Sequence, residues 1–353
     1  MEMPLNLTLN SSFELTTQPQ STVLYIKERL WTLKVLTPLS LFIMLFGFIS
    51  NLINIVVFSK AGIKDNVTTL LCSLAVTDLT FLILAMPNAC FWFIYAWVKN
   101  HTWPFHYAFA ATFFYWPAFT AFDLSVFISV SLGVMRCACV AMPLKFKIVF
   151  TKSRTIKWVL FLVVLAVCLR IPVLTVHRVA RRYNPVTNSS YVYVVASNDV
   201  SMFKVNDIMN RGFFIWFNFI VMVSCVCVLS FKLNQASKIR RSYTKQSSHL
   251  SDQDKAVATT GMSPKDMQVV KSVVLVCSIF IFTQLPYLFV STTRLLDPQF
   301  TGKGRLDGLF GTINTVGRTC SFLNASVNIL VYYNFNSKYR CSLLSLFEAK
   351  RQL

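Results

Sequence analysis

Charge is what this chain has least of. Its 34 basic and 14 acidic residues make up only 14% of 353 positions. A soluble domain carries about 25% charged residues, so an ordinary water-soluble globule is excluded. Histidine is sparse as well: His101, His106, His177 and His249 show no metal-ligand spacing. No nucleophile elbow, phosphate-cradling glycine loop or His/Cys/Asp cluster is present, which removes the usual sequence signs of an enzyme. Ten cysteines occur, yet none falls within 178–211, the longest loop on the side expected to face outside. A framework of loop disulfides is therefore excluded. Internal repeats are absent, and so is the alternating ten-residue pattern of a membrane barrel.

Long apolar sequence, by contrast, is abundant. Hydrophobic residues form 55% of the chain. They gather in seven runs, at 35–58, 67–94, 108–140, 157–179, 212–233, 267–293 and 308–333. Each is near the roughly 20 residues that a bilayer demands of a helix. The pattern predicts an all-α membrane protein, a seven-transmembrane helix bundle, over 35–333. Residues 1–34 read as a polar extracellular tail. They lack a short apolar stretch with a small-residue cleavage site, so the first helix is expected to be the insertion signal. In 334–353, Tyr339, Leu343, Leu346 and Phe347 can share one face of a short helix lying along the membrane surface.

Seven crossings put the two ends on opposite sides. Glycosylation sequons at Asn6, Asn10, Asn100 and Asn188 share one side if the N-terminus is outside. The loop 141–156 carries Lys145, Lys147, Lys152 and Arg154 without an acid, and 234–266 is basic too, as cytoplasmic loops are. A multi-pass protein of the plasma membrane with its N-terminus extracellular is expected. The net charge of +20 suits an anionic lipid bilayer rather than nucleic acid, because the basic residues are spread over short loops. Cys341, just past the last span, is a candidate for lipidation.

Polar residues inside the apolar runs are costly unless paired, and so they point to function. Asn324, Asn328 and Tyr332 lie in the seventh run, with Asn51, Asp78 and Ser125 upstream as partners. Together they read as an interior ion or water site. Asp78 must pair, neutralise or bind a cation there. Arg170, Arg318 and Asp123 lie in the halves of their runs expected to face outside, and Arg294 caps the sixth run. Arg318 and Arg294 suit a carboxylate, a sulfate or a peptide terminus. Arg170 reads as a snorkelling or paired residue or as a ligand contact, and Asp123 either as the partner of Arg170 or as a ligand residue.

Six short motifs stand in order along the runs. They are Gly47 to Asn51; Leu74, Ala75 and Asp78; Met135, Arg136 and Cys137; Pro143 and Leu144; Phe280 with Thr283, Gln284, Leu285 and Pro286; and Asn328 to Tyr332 followed by Tyr339 and Arg340. In this order the chain resembles the rhodopsin-like (class A) G-protein-coupled receptors, from about Leu36 to Phe347. At finer scale it is similar to the expanded chemosensory receptors of gastropod molluscs, themselves similar to neuropeptide receptors. Pro143 to Thr155, Pro286 and Tyr287, Arg294 to Pro298, and Ser337 to Arg340 carry that likeness.

The resemblance implies a receptor that converts an extracellular small molecule or peptide ligand into activation of a heterotrimeric G protein, without a cofactor. It implies an allosteric sodium ion held by Asp78, Ser125, Asn324 and Asn328, with a water-filled polar network as the alternative. Arg136, bridged to Asp266, would hold the resting state. Pro286 would bend the sixth helix, Phe280 and Gln284 would face the core, and Tyr332 would complete the switch. Gln284, Asp123, Arg170, Arg294 and Arg318 are the candidate ligand residues, although Phe280 reads equally as simple packing. Several positions depart from the family pattern: Met135 replaces an acid, Gln284 a tryptophan, Ile329 a proline, and Ala111 the bridging cysteine of the third helix. Without that bridge the outer loop is expected to be looser, held by packing of Tyr191, Val192 and Tyr193. A transporter lined by Arg170, Asp123 and Asp78 is the competing class, against which stands the lack of an inverted repeat.

Overall fold

The computed structural model describes residues 20–63, 65–97, 111–142, 146, 148–175, 177–184, 189–196, 205–246, 264–297, 299–300 and 305–348. Helix α1 spans Gln20–Ala61, α2 Asn66–Trp97, α3 Trp116–Ala141 and α4 Lys152–Thr175. Strands β1 (His177–Asn184) and β2 (Ser189–Ala196) follow, then α5 (Phe214–Gln246) and α6 (Pro264–Leu296). The chain closes with α7 (Asp307–Ser326), α8 (Asn328–Phe335) and α9 (Ser337–Glu348). Single π-helical turns, Ala111–Tyr115 and Asp207–Phe213, lead into α3 and α5.

These elements form a seven-transmembrane bundle. The first six crossings are long and apolar enough to span a membrane by length and composition. The seventh is α7 continued by α8. It is less apolar because Asn314, Thr315, Thr319, Ser321 and Ser326 are turned into the bundle and buried. The outer surface shows the reverse pattern, with Phe42, Ile49, Val164 and Phe282 exposed. Backbone groups of a helix are satisfied internally, so apolar side chains can face lipid while polar ones meet each other inside. One cluster of buried side chains joins Met44, Phe81, Phe122, Met222, Phe280 and Phe322. A second joins Phe58, Leu74, Ile128, Met135, Tyr332 and Tyr339 toward the α9 end.

Three boundaries differ from the sequence reading. Helix α1 begins at Gln20, within the segment read as a tail. The fourth crossing stops at Thr175, because β1 starts two residues later. The outer loop, expected to be loose, instead holds an antiparallel hairpin with His177 opposite Ala196 and Asn184 opposite Ser189. Ladder hydrogen bonds supply order there that no disulfide provides. All ten cysteines are free.

The seventh crossing also breaks, at Val327, without a proline. Two side chains of α1 account for the break. Asn51 Nδ2 donates to the Ala325 carbonyl at 2.8 Å, and Ser50 Oγ donates to the Ser326 carbonyl at 3.1 Å. Those oxygens would otherwise receive the N–H groups of the following turn. The Leu330 N–H bonds Val327 O instead, at 3.0 Å. Close approach of α1 and α7 requires Gly47, since a Cβ there would run into Ser326 Oγ and the Leu82 side chain.

Candidate functional site

Three polar centres are buried along the bundle axis. The middle one is built on Asp78, which is 1% exposed. Ser125 Oγ of α3 donates to its Oδ1, and Asn328 Nδ2 of α8 donates to its Oδ2 at 2.9 Å. Asn328 reaches this position because the break at Val327 restarts the helix there. Three of the four expected sodium ligands are thus brought together. Among the described residues Asn324 makes no hydrogen bond to Asp78, and it is only half-buried. The set fits a small hard cation in part: the carboxylate and hydroxyl oxygens suit it. The Asn328 N–H does not, and its carboxamide would have to turn over to present Oδ1.

The second centre lies at the hairpin end, between α3, α4, α5, α6 and α7. Arg170 Nη2 bonds Asp123 Oδ2, the pairing that the sequence left open beside snorkelling and ligand contact. Its guanidinium lies over Trp116 at 6.0 Å and Phe119 at 5.7 Å, while Nε has no acceptor among the described residues. Arg294 Nη2 meets Asp207 Oδ2 at 3.0 Å, and Arg211 Nε meets Asp207 Oδ1 at 3.5 Å. Arg211 in turn lies within electrostatic range of Asp123. A ladder of alternating charge therefore runs from α6 through α5 and α3 to α4. The π-helical turn at Asp207–Phe213 carries both Asp207 and Arg211 on this face.

Arg318 of α7 stands apart from the ladder. Its contact is a 3.4 Å hydrogen bond to Thr315 Oγ1, and among the described residues it has no carboxylate partner. It lines a narrow cavity with Phe81, Phe119, Phe122, Tyr287 and Phe322. It also lines a neighbouring narrow cavity reaching Thr37 and Ser40 of α1. Gln284, 6% exposed, lines a third cavity nearer α5. The predicted ligand residues are thus divided: Arg318 and Gln284 face cavities, Asp123 faces one while paired, and Arg170 and Arg294 are held in ion pairs.

The third centre lies at the α9 end. Arg136 is half-buried, its Nε lacks a protein acceptor, and Asp65 and Tyr332 lie within electrostatic range. Asp266 belongs to α6, but its side chain lies outside the described residues. Tyr332 packs edge-on against Phe58, with ring centroids 5.6 Å apart, and against Tyr339 at 5.7 Å. Tyr339 Oη donates to Asn54 Oδ1 at 2.6 Å, which fastens α9 to α1. Burial pushes the Tyr339 phenol up to about 12. Phe280 is fully enclosed, and Pro286 lies inside α6. Cys341 is exposed on α9. Asn6, Asn10, Asn100 and Asn188 lie outside the described residues.

Sequence reasoning missed Asp207, Arg211 and Asn54. A charged pair four residues apart, Asp207 and Arg211, was the available signal for the first two. Asn54 offered none, because its partner lies 285 positions away.

A family model described as 7 transmembrane receptor (rhodopsin family) matches residues 50–332. No curated protein matches the chain.

Proposed function

The chain belongs to the rhodopsin family of seven-transmembrane receptors, a class of non-enzymatic signalling receptors, and from that premise we propose that its ligand is a small organic acid sensed outside the cell. Arg318 carries this reading. A guanidinium inside a membrane bundle, bordered by aromatic rings and without a carboxylate partner among the described residues, is costly as it stands. A ligand carboxylate supplies the missing charge through paired N–H···O bonds, and a ring or chain on that ligand fills the apolar wall. A chemosensory role follows from so unspecialised a recognition group. The receptor resides in the plasma membrane with its N-terminus and hairpin outside, glycosylated at Asn6, Asn10, Asn100 and Asn188.

Binding at the hairpin end shifts a two-state bundle toward the form that engages a heterotrimeric G protein. Arg136, Asp266, Phe280, Pro286 and Tyr332 are the switch residues at the other end, and a palmitoyl chain on Cys341 holds α9 to the inner leaflet. Sodium would be held by the Asp78 and Ser125 oxygens with the Asn328 carboxamide turned over. A bound ion supplies positive charge to Asp78 in the resting bundle.

One observation favours a second reading, a neuropeptide ligand. Among the described residues the edges of the two-stranded hairpin are unpaired, and an extended peptide can add a strand there. Cells expressing the chain, challenged with a tissue extract before and after protease digestion, separate the two. A response that survives digestion and is lost in Arg318→Gln supports the acid reading. A response destroyed by digestion establishes the peptide.

A further inference from the structure

Sulfur gathers where α3, α5 and α6 meet toward the α9 end of the bundle. Gly133 of α3 makes the close approach possible: a Cβ there would sit 3.1 Å from Met222 Sδ of α5 and 3.6 Å from Cys277 Sγ of α6. One turn on, Cys137 shares that face of α3, since residues four apart on a helix are neighbours. Its thiol donates to the Cys225 carbonyl of α5 at 3.4 Å, and the two thiols lie within hydrogen-bonding reach of each other. Cys277 lies within electrostatic range of both. All three are free thiols. Cys225 and Cys277 are buried, while Cys137 keeps partial exposure.

A single buried cysteine is accounted for by its volume, as a small apolar filler. Two cysteines that meet across a pair of helices have a chemistry that a filler lacks. Among the described residues Cys137 and Cys225 are the only two joined by a hydrogen bond between them. Neither belongs to the three polar centres. A disulfide forms without backbone movement only between cysteines already placed side by side, and the tight packing at Gly133 holds these two there.

We propose that Cys137 and Cys225 are a peroxide-sensitive dithiol that closes into a disulfide between α3 and α5. The less enclosed Cys137, as the thiolate, attacks one oxygen of hydrogen peroxide. An S–O bond forms as the O–O bond breaks, and the hydroxide released takes up a proton to become water. The Cys225 sulfur then attacks the sulfenic sulfur of Cys137. The S–S bond forms, the S–O bond breaks, and hydroxide leaves with the Cys225 proton as a second water. The two sulfurs have together given two electrons to the peroxide. The bond joins residues 88 positions apart, so it constrains the unfolded chain and ties two helices of the folded one. Oxidation thus holds the bundle in the arrangement that lets these sulfurs meet, and a thiol reductant releases it. That the bond is transient in the cell rests on reading the α9 end as cytoplasmic, where thiols are kept reduced. Its formation does not depend on that orientation.

Purified full-length receptor in detergent micelles, treated with hydrogen peroxide and then alkylated, tests this by mass spectrometry of its proteolytic peptides. The thermal midpoint is followed on the same samples by circular dichroism. A pair of peptides linked through Cys137 and Cys225 is expected, absent before treatment and removed by dithiothreitol. The midpoint is expected to rise by several degrees with the bond and to fall back on reduction. Cys137→Ser and Cys225→Ala are each expected to lose both the linked peptides and the rise, and one serves if the other expresses poorly. Cys277→Ala is expected to keep both. Recovery of Cys137 and Cys225 as alkylated thiols after peroxide overturns the proposal, and so does a bridge from either to Cys277 instead. Linked peptides without any change in midpoint overturn the tie between α3 and α5. The orientation is read separately: a membrane-impermeant thiol reagent that labels Cys341 from outside intact cells overturns the cytoplasmic reading and leaves the dithiol standing.

Discussion

Replacing Asp123 by asparagine would leave the Arg170 guanidinium buried with no anion beside it. The Arg170 side chain is 5% exposed and that of Asp123 20% exposed. Removing one member of a buried pair costs about 3–5 kcal/mol, and the partial exposure of Asp123 toward its cavity places this case near the low end, at about 3 kcal/mol. The rings of Trp116 and Phe119 remain over the guanidinium and soften the loss by less than about 1 kcal/mol. Replacing both residues, as Asp123→Leu with Arg170→Met, removes the two charges together and is expected to be nearly neutral. The assay is a double-mutant cycle on the thermal unfolding of purified receptor. Asp123→Leu and Arg170→Met alone are each expected to lose roughly 5 °C or more, and with each costing about 3 kcal/mol and the pair near zero the coupling is about 6 kcal/mol. A coupling below about 0.5 kcal/mol, within the range of independent sites, would refute the claim that this pair ties α3 to α4.

Further expectations concern the other two centres. Tyr339 holds Asn54 only as a neutral phenol, and burial raises its folded value above the ordinary value near 10. The stability it contributes is therefore complete below about pH 10 and is lost as pH rises toward about 12. A spin label on Cys341 should gain mobility across that window, whereas in Tyr339→Phe it should be mobile at neutral pH and flat above; no difference between the two would contradict the latch. At the middle centre, Asp78→Asn is expected to abolish any sodium dependence of agonist affinity, and unaltered dependence counts against an ion there. Asp266→Ala should raise basal signalling at matched surface expression; unchanged basal activity argues against its pairing with Arg136.

The seven crossings were legible because a bilayer imposes one simple demand, about 20 apolar residues per helix. The Asp78 centre was legible for a related reason: polar residues stand out against so apolar a background. Asp78, Ser125 and Asn328 do meet, yet Asn324, four residues before Asn328, does not join them. Helix α7 reaches Asn328 through a break, and the cause of that break, Asn51 with Ser50, lies some 270 positions upstream. No local pattern around Val327 marks it. The same holds for Tyr339 and Asn54, each ordinary in its own helix. Strand β2 did carry a local sign in its alternating Tyr191, Val192 and Tyr193, but a hairpin needs its partner to be recognised, and Arg178 to Arg182 carry no such alternation. The arginines of the hairpin half were visible as functional candidates. Which of them are already neutralised depends on Asp207, and only the fold brings Asp207 beside Arg294.

The central claim is a G-protein-activating receptor that recognises an acid through Arg318. Its most direct test is nucleotide exchange on a purified heterotrimeric G protein by the receptor in lipid vesicles, with a panel of small carboxylic acids on the outer side. The account predicts that at least one acid accelerates exchange, that Arg318→Gln abolishes the response to it, and that Arg136→Ala abolishes exchange altogether. Acid-stimulated exchange at an undiminished rate in Arg318→Gln would contradict it.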